Sequence, residues 1–225
     1  MTTDIRTILF DLDGTILDTN ELIIESFIQS LQHVVPAPFG REHIIPSMGQ
    51  PLAAQIQLFT GQEEVSHLVA AYREINLRLH DDYVKPFPGV QEVLARLHGH
   101  GIQIGIVTTK MRLSTERGLR YAGLYDYIMP RGIVTLDDVM NPKPHPEPVR
   151  MAVEALGADP AATLMVGDSV VDIEAAEAAG VASVGVAWSL KGEKTLRESG
   201  ARHIIHDMRD LYAFVGLERE SLEKR

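Results

Sequence analysis

Cysteine is missing from all 225 residues. That excludes disulfides and any thiolate metal site, and it fits a reducing cytosol, so a cytoplasmic location is expected. Positive charge is scarce. Lys and Arg number 21 against 31 Asp and Glu, a net charge of -10. With no basic face evident, no nucleic-acid partner is expected. An anionic ligand would have to be drawn in by local cations and not by the overall field. No apolar run approaches the ~20 residues that cross a bilayer, so no membrane association is expected. The short polar segment Met1 to Arg6 leads into an apolar run that Asp11 breaks, which does not read as a signal peptide. Internal repeats and low-complexity stretches are lacking too. What remains is a chain 45% hydrophobic, enough for one large domain or one domain plus an insertion.

The stretch Thr7-Ile8-Leu9-Phe10-Asp11-Leu12-Asp13-Gly14-Thr15 organises the rest. Strand positions i and i+2 point the same way, so Asp11 and Asp13 are expected to aim at one point past the strand's end. Like charges meeting there repel, and the apolar lead-in makes ionisation harder. A hard divalent cation resolves the conflict: Mg2+ takes carboxylate oxygens and keeps waters for a phosphate. Gly14 permits the turn away from the strand. The plain alternative is a strand ending in a polar turn.

Residues 16–84 read as helical. Asp18 and Glu21 are spaced as an acidic capping box. Leu22, Ile23, Phe27, Leu31 and Val34 recur on one face until Pro36 and Pro38 stop the helix. Further helical stretches cover 52–59 and 63–80, the second with Val65, Leu68, Val69, Tyr72, Ile75 and Leu79 on one side. This predicts an all-helical insert at 16–84, a cap, on a body made of 1–15 and 85–225. In the body, strands expected at 102–109, 132–136, 163–166, 181–186 and 202–205 alternate with helices at 90–98, 147–156 and 170–179 and one ending near 121. That alternation predicts an α/β fold, a three-layer Rossmann-like core with a mainly parallel sheet. Ligands in such sheets bind outside the carboxyl ends of the strands. The segment 211–217 closes the fold, and 218–225 reads as a frayed charged tail.

Three further places carry polar residues at or near those ends. Thr108-Thr109-Lys110 follows a strand, where a hydroxyl and a new helix N-terminus can both donate to a phosphate, although a threonine there also serves as an N-cap. In Asn141-Pro142-Lys143-Pro144-His145-Pro146-Glu147-Pro148, alternate prolines hold the chain extended. Lys143 is thereby either a fixed ammonium beside the carboxylates or a solvated loop lysine. In Val166-Gly167-Asp168-Ser169-Val170-Val171-Asp172, the carboxylates at i and i+4 can face one side. Capping by Ser169 would account for Asp172 but not for Asp168. Arg41, Arg73, Lys110, Arg112 and Lys191 are the cations considered for a phosphate, with Lys110 ranked first. His98-Gly99-His100 reads as the cationic end of a helix and not as a metal site.

Asp11-Leu12-Asp13-Gly14-Thr15, Thr108, Lys143 and Gly167-Asp168-Ser169-Val170-Val171-Asp172, in that order, resemble the four motifs of the haloacid dehalogenase (HAD) superfamily. A helical insert directly after the first motif resembles its C1-capped subclass. Stretches at 19–24, 105–110, 143–148, 165–168 and 188–192 are similar to the PpaX-type inorganic pyrophosphatases of Gram-positive bacteria. Those remove the pyrophosphate made when HPr kinase/phosphorylase dephosphorylates HPr. Phosphoglycolate phosphatases share the four motifs but usually carry Thr-Asn-Lys where this chain has Thr108-Thr109-Lys110. The resemblance implies a Mg2+-dependent phosphohydrolase acting on a small phosphate compound, pyrophosphate first; a monomer is expected. In it Asp11 is the nucleophile and Asp13 the general acid and base. Mg2+ sits on the Asp11 carboxylate, the Asp13 backbone carbonyl and Asp168, with Asp172 behind. Thr108 and Lys143 bind the transferring phosphoryl group. Thr15, Thr109, Lys110 and Gly49 contact substrate, Gly49 from a loop, Met48-Gly49-Gln50-Pro51, that resembles the cap loop facing the site. A phosphoglycolate or other monoester phosphatase is the alternative. A phosphoaspartate receiver-like signalling domain would also cluster Asp, Thr and Lys around Mg2+, but it needs no helical insert.

Overall fold

The structure is a computed structural model and describes residues 5–219. The start of the polar N-terminal segment and, from residue 220, the expected charged tail lie outside the described residues. In chain order the strands are β1 (Thr7–Phe10), β2 (Leu17–Asp18), β3 (Lys85–Pro86), β4 (Gln103–Val107), β5 (Ile133–Val134), β6 (Thr163–Gly167), β7 (Ala182–Val186) and β8 (His203–Ile205). The helices are α1 (Asn20–Leu31), α2 (Arg41–Ile44), α3 (Leu52–Thr60), α4 (Ser66–Tyr83), α5 (Val90–Gly99), α6 (Arg112–Tyr121), α7 (Glu147–Leu156), α8 (Val170–Ala179) and α9 (Glu193–Glu198).

Six strands form one parallel sheet in the order β5-β4-β1-β6-β7-β8. The expected α/β class with a parallel sheet is therefore observed. Successive strand residues serve opposite cores, as the two-residue pleat requires. Ile8, Phe10, Ile104, Ile106, Leu164 and Val166 join one cluster, while Leu9, Val107 and Met165 join the other. Burial on both faces explains why these strands read as continuous apolar runs. At the switch point, β1 has β4 on one side and β6 on the other, so the loops after these three strands face one crevice.

The helices between residues 20 and 83 have their own core. Ile24, Phe27, Leu31, Ile44, Met48, Ile56, Val65, Leu68 and Tyr72 pack together without any residue of the sheet. Phe27 is at its centre, with the rings of Phe59 at 5.3 Å and Tyr72 at 4.6 Å.

Several local expectations fail. Asp18 and Glu21 make no capping box: Thr19 is the N-cap, and Glu21 instead binds Arg41 at 2.7 Å. Asp18 is held in β2, which pairs antiparallel with β3, so no helix can begin there. Val34 is 37% exposed, because α1 ends at Leu31 and a tight turn onto the Leu31 carbonyl breaks the helical period. The strand expected over 102–109 stops at Val107, leaving Thr108 and Thr109 free to face the crevice. α4 starts at Ser66, three residues later than expected, and α2 was not anticipated.

Candidate active site

The pairing of β1 continues one bond past its last residue, with the Asp11 N–H donating to the Val166 carbonyl at 2.9 Å. The chain then turns sharply, and the Gly14 N–H donates to the Leu17 carbonyl. Gly14 has φ +84°, and a Cβ there would lie 2.6 Å from Asp168 Oδ2. Only glycine both makes this turn and leaves room for the neighbouring carboxylate.

Asp11, Asp168 and Asp172 converge, with one carboxylate oxygen from each lying within 4.8 Å of the others. Lys143 reaches them from the proline-rich loop. Its Nζ donates to Asp11 Oδ1 at 2.7 Å, Asp172 Oδ1 at 2.5 Å and the Val107 carbonyl at 2.9 Å. An ammonium has three protons, so all are spent. Asp172 is fixed further by the N–H of Ser169 at 3.0 Å and its hydroxyl at 2.5 Å. Ser189 donates to the Asp168 carbonyl at 2.6 Å and so fixes the backbone there.

Asp168 is 6% exposed, yet among the described residues its carboxylate accepts no hydrogen bond. Burial, with Asp172 nearby, pushes it up to about 7 against the attraction of Lys191. Burial also raises Asp11 well above the ordinary carboxylate range, although Lys143 opposes this. Burial alone would push the Lys143 ammonium down, but Asp11 and Asp172 hold it above the usual lysine range. Of the three buried carboxylates, Asp11 and Asp172 bond the Lys143 ammonium and Asp168 does not. That excess of buried negative charge, all on oxygen, is the donor set a hard divalent cation such as Mg2+ takes.

Asp13 lies beyond the strand, yet it lines the same cavity as Asp11 and Asp168. The strand ends at Phe10, so the i, i+2 rule stops applying before Asp13. The cavity that Asp13 shares with Asp11 is about 120 Å³. There Lys110 Nζ donates to both Asp13 carboxylate oxygens, at 2.9 and 3.0 Å. Thr108 lines the same cavity and its hydroxyl accepts from the Lys110 N–H at 3.2 Å. The opposite wall is α4, with Tyr72, Arg73 and Asn76. Burial, and then the charge of Asp13, raise the Tyr72 phenol, so it stays protonated as a donor. Arg73 has no partner among the described residues.

A family model described as haloacid dehalogenase-like hydrolase matches residues 8–186. The chain belongs to the haloacid dehalogenase-like hydrolase family. It is 42% identical to pyrophosphatase PpaX of Bacillus velezensis over 95% of this chain and 98% of that protein. It is 40% identical to pyrophosphatase PpaX of Anoxybacillus flavithermus over 95% and 98%. Among solved structures, a haloacid dehalogenase-like hydrolase of Bacteroides fragilis superposes with TM-score 0.83 at 28% identity, covering 92% of this chain and 99% of that one. One from Streptococcus pneumoniae has TM-score 0.81 and 23% identity over 94% and 99%, a likeness of fold alone.

As a HAD-like hydrolase the chain brings Asp11, Lys143, Asp168 and Asp172 together, and Asp11 and Asp168 line one cavity with Asp13, Thr108 and Lys110. Gly49 is on the cavity wall, and its carbonyl accepts from Thr109 Oγ1 at 3.0 Å. Lys191 donates to the neighbouring Met48 carbonyl. Thr15 is fully buried and does not line the cavity. Arg41 is spent on Glu21, and Arg112 on Asp138 and the Ile133 carbonyl, away from the carboxylates. His98 and His100 lie at the end of α5. Sequence reasoning missed Tyr72 and Asn76 as cavity residues, and Ser189 as the support of Asp168. Tyr72 counted only as part of an apolar helix face, and nothing in its spacing says what that face meets.

Proposed function

We propose that this HAD-like hydrolase splits inorganic pyrophosphate into two phosphates through an aspartyl phosphate on Asp11. Full-length identity of about 40% to PpaX pyrophosphatases carries the choice of substrate. The site supports it: a small cavity with Lys110 and Arg73 on its walls suits a compact, doubly anionic ligand. On this reading, residues 16–84 act as a cap over the body.

Asp11, Asp168 and the Asp13 backbone carbonyl would hold Mg2+, with Asp172 behind them. When bound, the ion neutralises phosphoryl charge and fixes the geometry of transfer. A carboxylate oxygen of Asp11 forms a bond to phosphorus while the bridging P–O bond breaks, its electron pair leaving with the departing phosphate. Lys143 keeps Asp11 ionised and oriented, and exchanges one of its bonds for a phosphoryl oxygen. The hydroxyl of Thr108 gives up the Lys110 N–H to donate to the same group. Asp13 protonates a leaving oxygen where one needs it, then takes a proton from the water that opens the aspartyl phosphate. The pyrophosphate would come from a phosphorolysing enzyme such as HPr kinase/phosphorylase, in the cytoplasm.

A substrate panel tests this: pyrophosphate, phosphoglycolate, glucose phosphates and p-nitrophenyl phosphate, each with Mg2+ or EDTA. Pyrophosphate should have the highest kcat/KM, require Mg2+ and turn over many times. Asp11→Asn should lower kcat by about a thousandfold or more. A higher kcat/KM for a monoester, or full activity in Asp11→Asn, would overturn the reading.

A further inference from the structure

Lys110 is placed to do more than attract an anion. It donates two charge-assisted bonds to Asp13, the strong kind, and the two side chains are only 13% and 19% exposed. Both line the cavity, so an incoming substrate meets the pair directly. The Lys110 backbone is anchored, its N–H on Thr108 and its carbonyl on the Leu136 N–H at 3.1 Å. Its four-carbon stem is nonetheless flexible enough to swing. While the pair holds, both Asp13 oxygens are occupied by protons that do not transfer, and the carboxylate is a poor proton carrier.

We infer that Lys110 masks Asp13 and leaves it only for a substrate bearing a second anionic group, so that this ion pair sets selectivity for diphosphates over simple phosphate esters. The inference rests on the aspartyl-phosphate reading and deepens it. The second phosphoryl group of pyrophosphate carries more charge than one carboxylate and competes for the ammonium. As Asp11 bonds to phosphorus and the bridging bond breaks, charge grows on the departing phosphate, and Lys110 shares it. Asp13 is then free to accept the proton of the attacking water, whose oxygen bonds to phosphorus as the bond to Asp11 breaks. An ester with a neutral alcohol offers no competing anion, so Asp13 stays masked when its leaving oxygen needs a proton.

The experiment compares pyrophosphate with phenyl phosphate in wild type, Lys110→Met, Lys110→Arg and the Lys110→Met/Asp13→Asn double variant. In Lys110→Met, KM for pyrophosphate should rise by about 10- to 100-fold, the loss of a charged hydrogen bond. The kcat/KM for phenyl phosphate should rise severalfold. Lys110→Arg, which keeps the charge, should recover low KM for pyrophosphate and slow phenyl phosphate turnover. In the Asp13→Asn background the gain on phenyl phosphate should vanish, since no carboxylate is left to release. An unchanged ratio between substrates in Lys110→Met, or a gain that persists without Asp13, would overturn the inference. If wild type prefers phosphoglycolate to pyrophosphate, the substrate reading fails by itself. The lysine inference is then decided on phosphoglycolate against phenyl phosphate by the same ratio.

Discussion

Lys143 has no proton to spare in the substrate-free protein. Its three acceptors are 2.5 to 2.9 Å away, so it acts first as the counter-ion that orients Asp11. Asp13 is held by Lys110, and once released its contribution should depend on the leaving group. Phosphate leaves readily and needs little protonation, whereas an alkoxide needs it fully. In a Lys110→Met background, where Asp13 is unmasked, Asp13→Asn should therefore slow pyrophosphate hydrolysis less than hydrolysis of an alkyl phosphate. Parallel kcat measurements on both substrates check this, and equal losses would refute it. At this scale the sequence was readable wherever chemistry concentrates at a strand end: Asp11, Thr108 and Asp168 each follow an apolar run. The link between Lys110 and Asp13 was not readable. They are 97 residues apart, and their contact depends on where β1 stops and which way Asp13 turns afterwards.

Helix α4 serves two purposes, and its sequence displays only one of them. Leu68 and Tyr72 contribute to the helical core, as their spacing suggested, while Arg73 and Asn76 on the next faces reach the cavity. Phe27, fully buried against Phe59 and Tyr72, ties that core to the cavity wall. Phe27→Ala should cost about 3–5 kcal/mol of stability, read from denaturant unfolding, and should weaken substrate binding by loosening Tyr72. Arg73→Ala should raise KM for pyrophosphate by about tenfold with a smaller change in kcat, because a cation on the wall with no partner among the described residues contributes to binding more than to chemistry. Steady-state kinetics decide that split. The long helices were legible because each buries one stripe over several turns. The pair β2 and β3 was not, since two-residue strands are too short to show any alternation.

For the whole molecule, the decisive quantity is negative charge that the fold buries before any cation arrives. Asp168 has an ordinary value of 3.8 but is pushed up to about 7 in the fold. A carboxyl raised on folding is more easily ionised in the unfolded chain, so stability falls as pH climbs from about 4 towards about 7 and then levels off. Mg2+ takes the ionised form and removes that penalty. The rise in Tm on adding saturating MgCl2 should therefore be larger near about pH 8 than near about pH 6, which differential scanning fluorimetry measures directly. Composition does not reveal this local excess, because a net charge of -10 does not say which carboxylates are buried together. A different lesson comes from the loop of Met48 and Gly49, which Lys191 and Thr109 hold against the body. The atoms grasped there are main-chain oxygens, which every amino acid carries. The side chain of residue 48 is thus no part of the attachment, whereas Gly49, at φ +95° with Ser169 Oγ 2.8 Å from where a Cβ would stand, admits no other residue without strain, so the outer wall of the chamber is open to re-tuning at 48 and closed to it at 49.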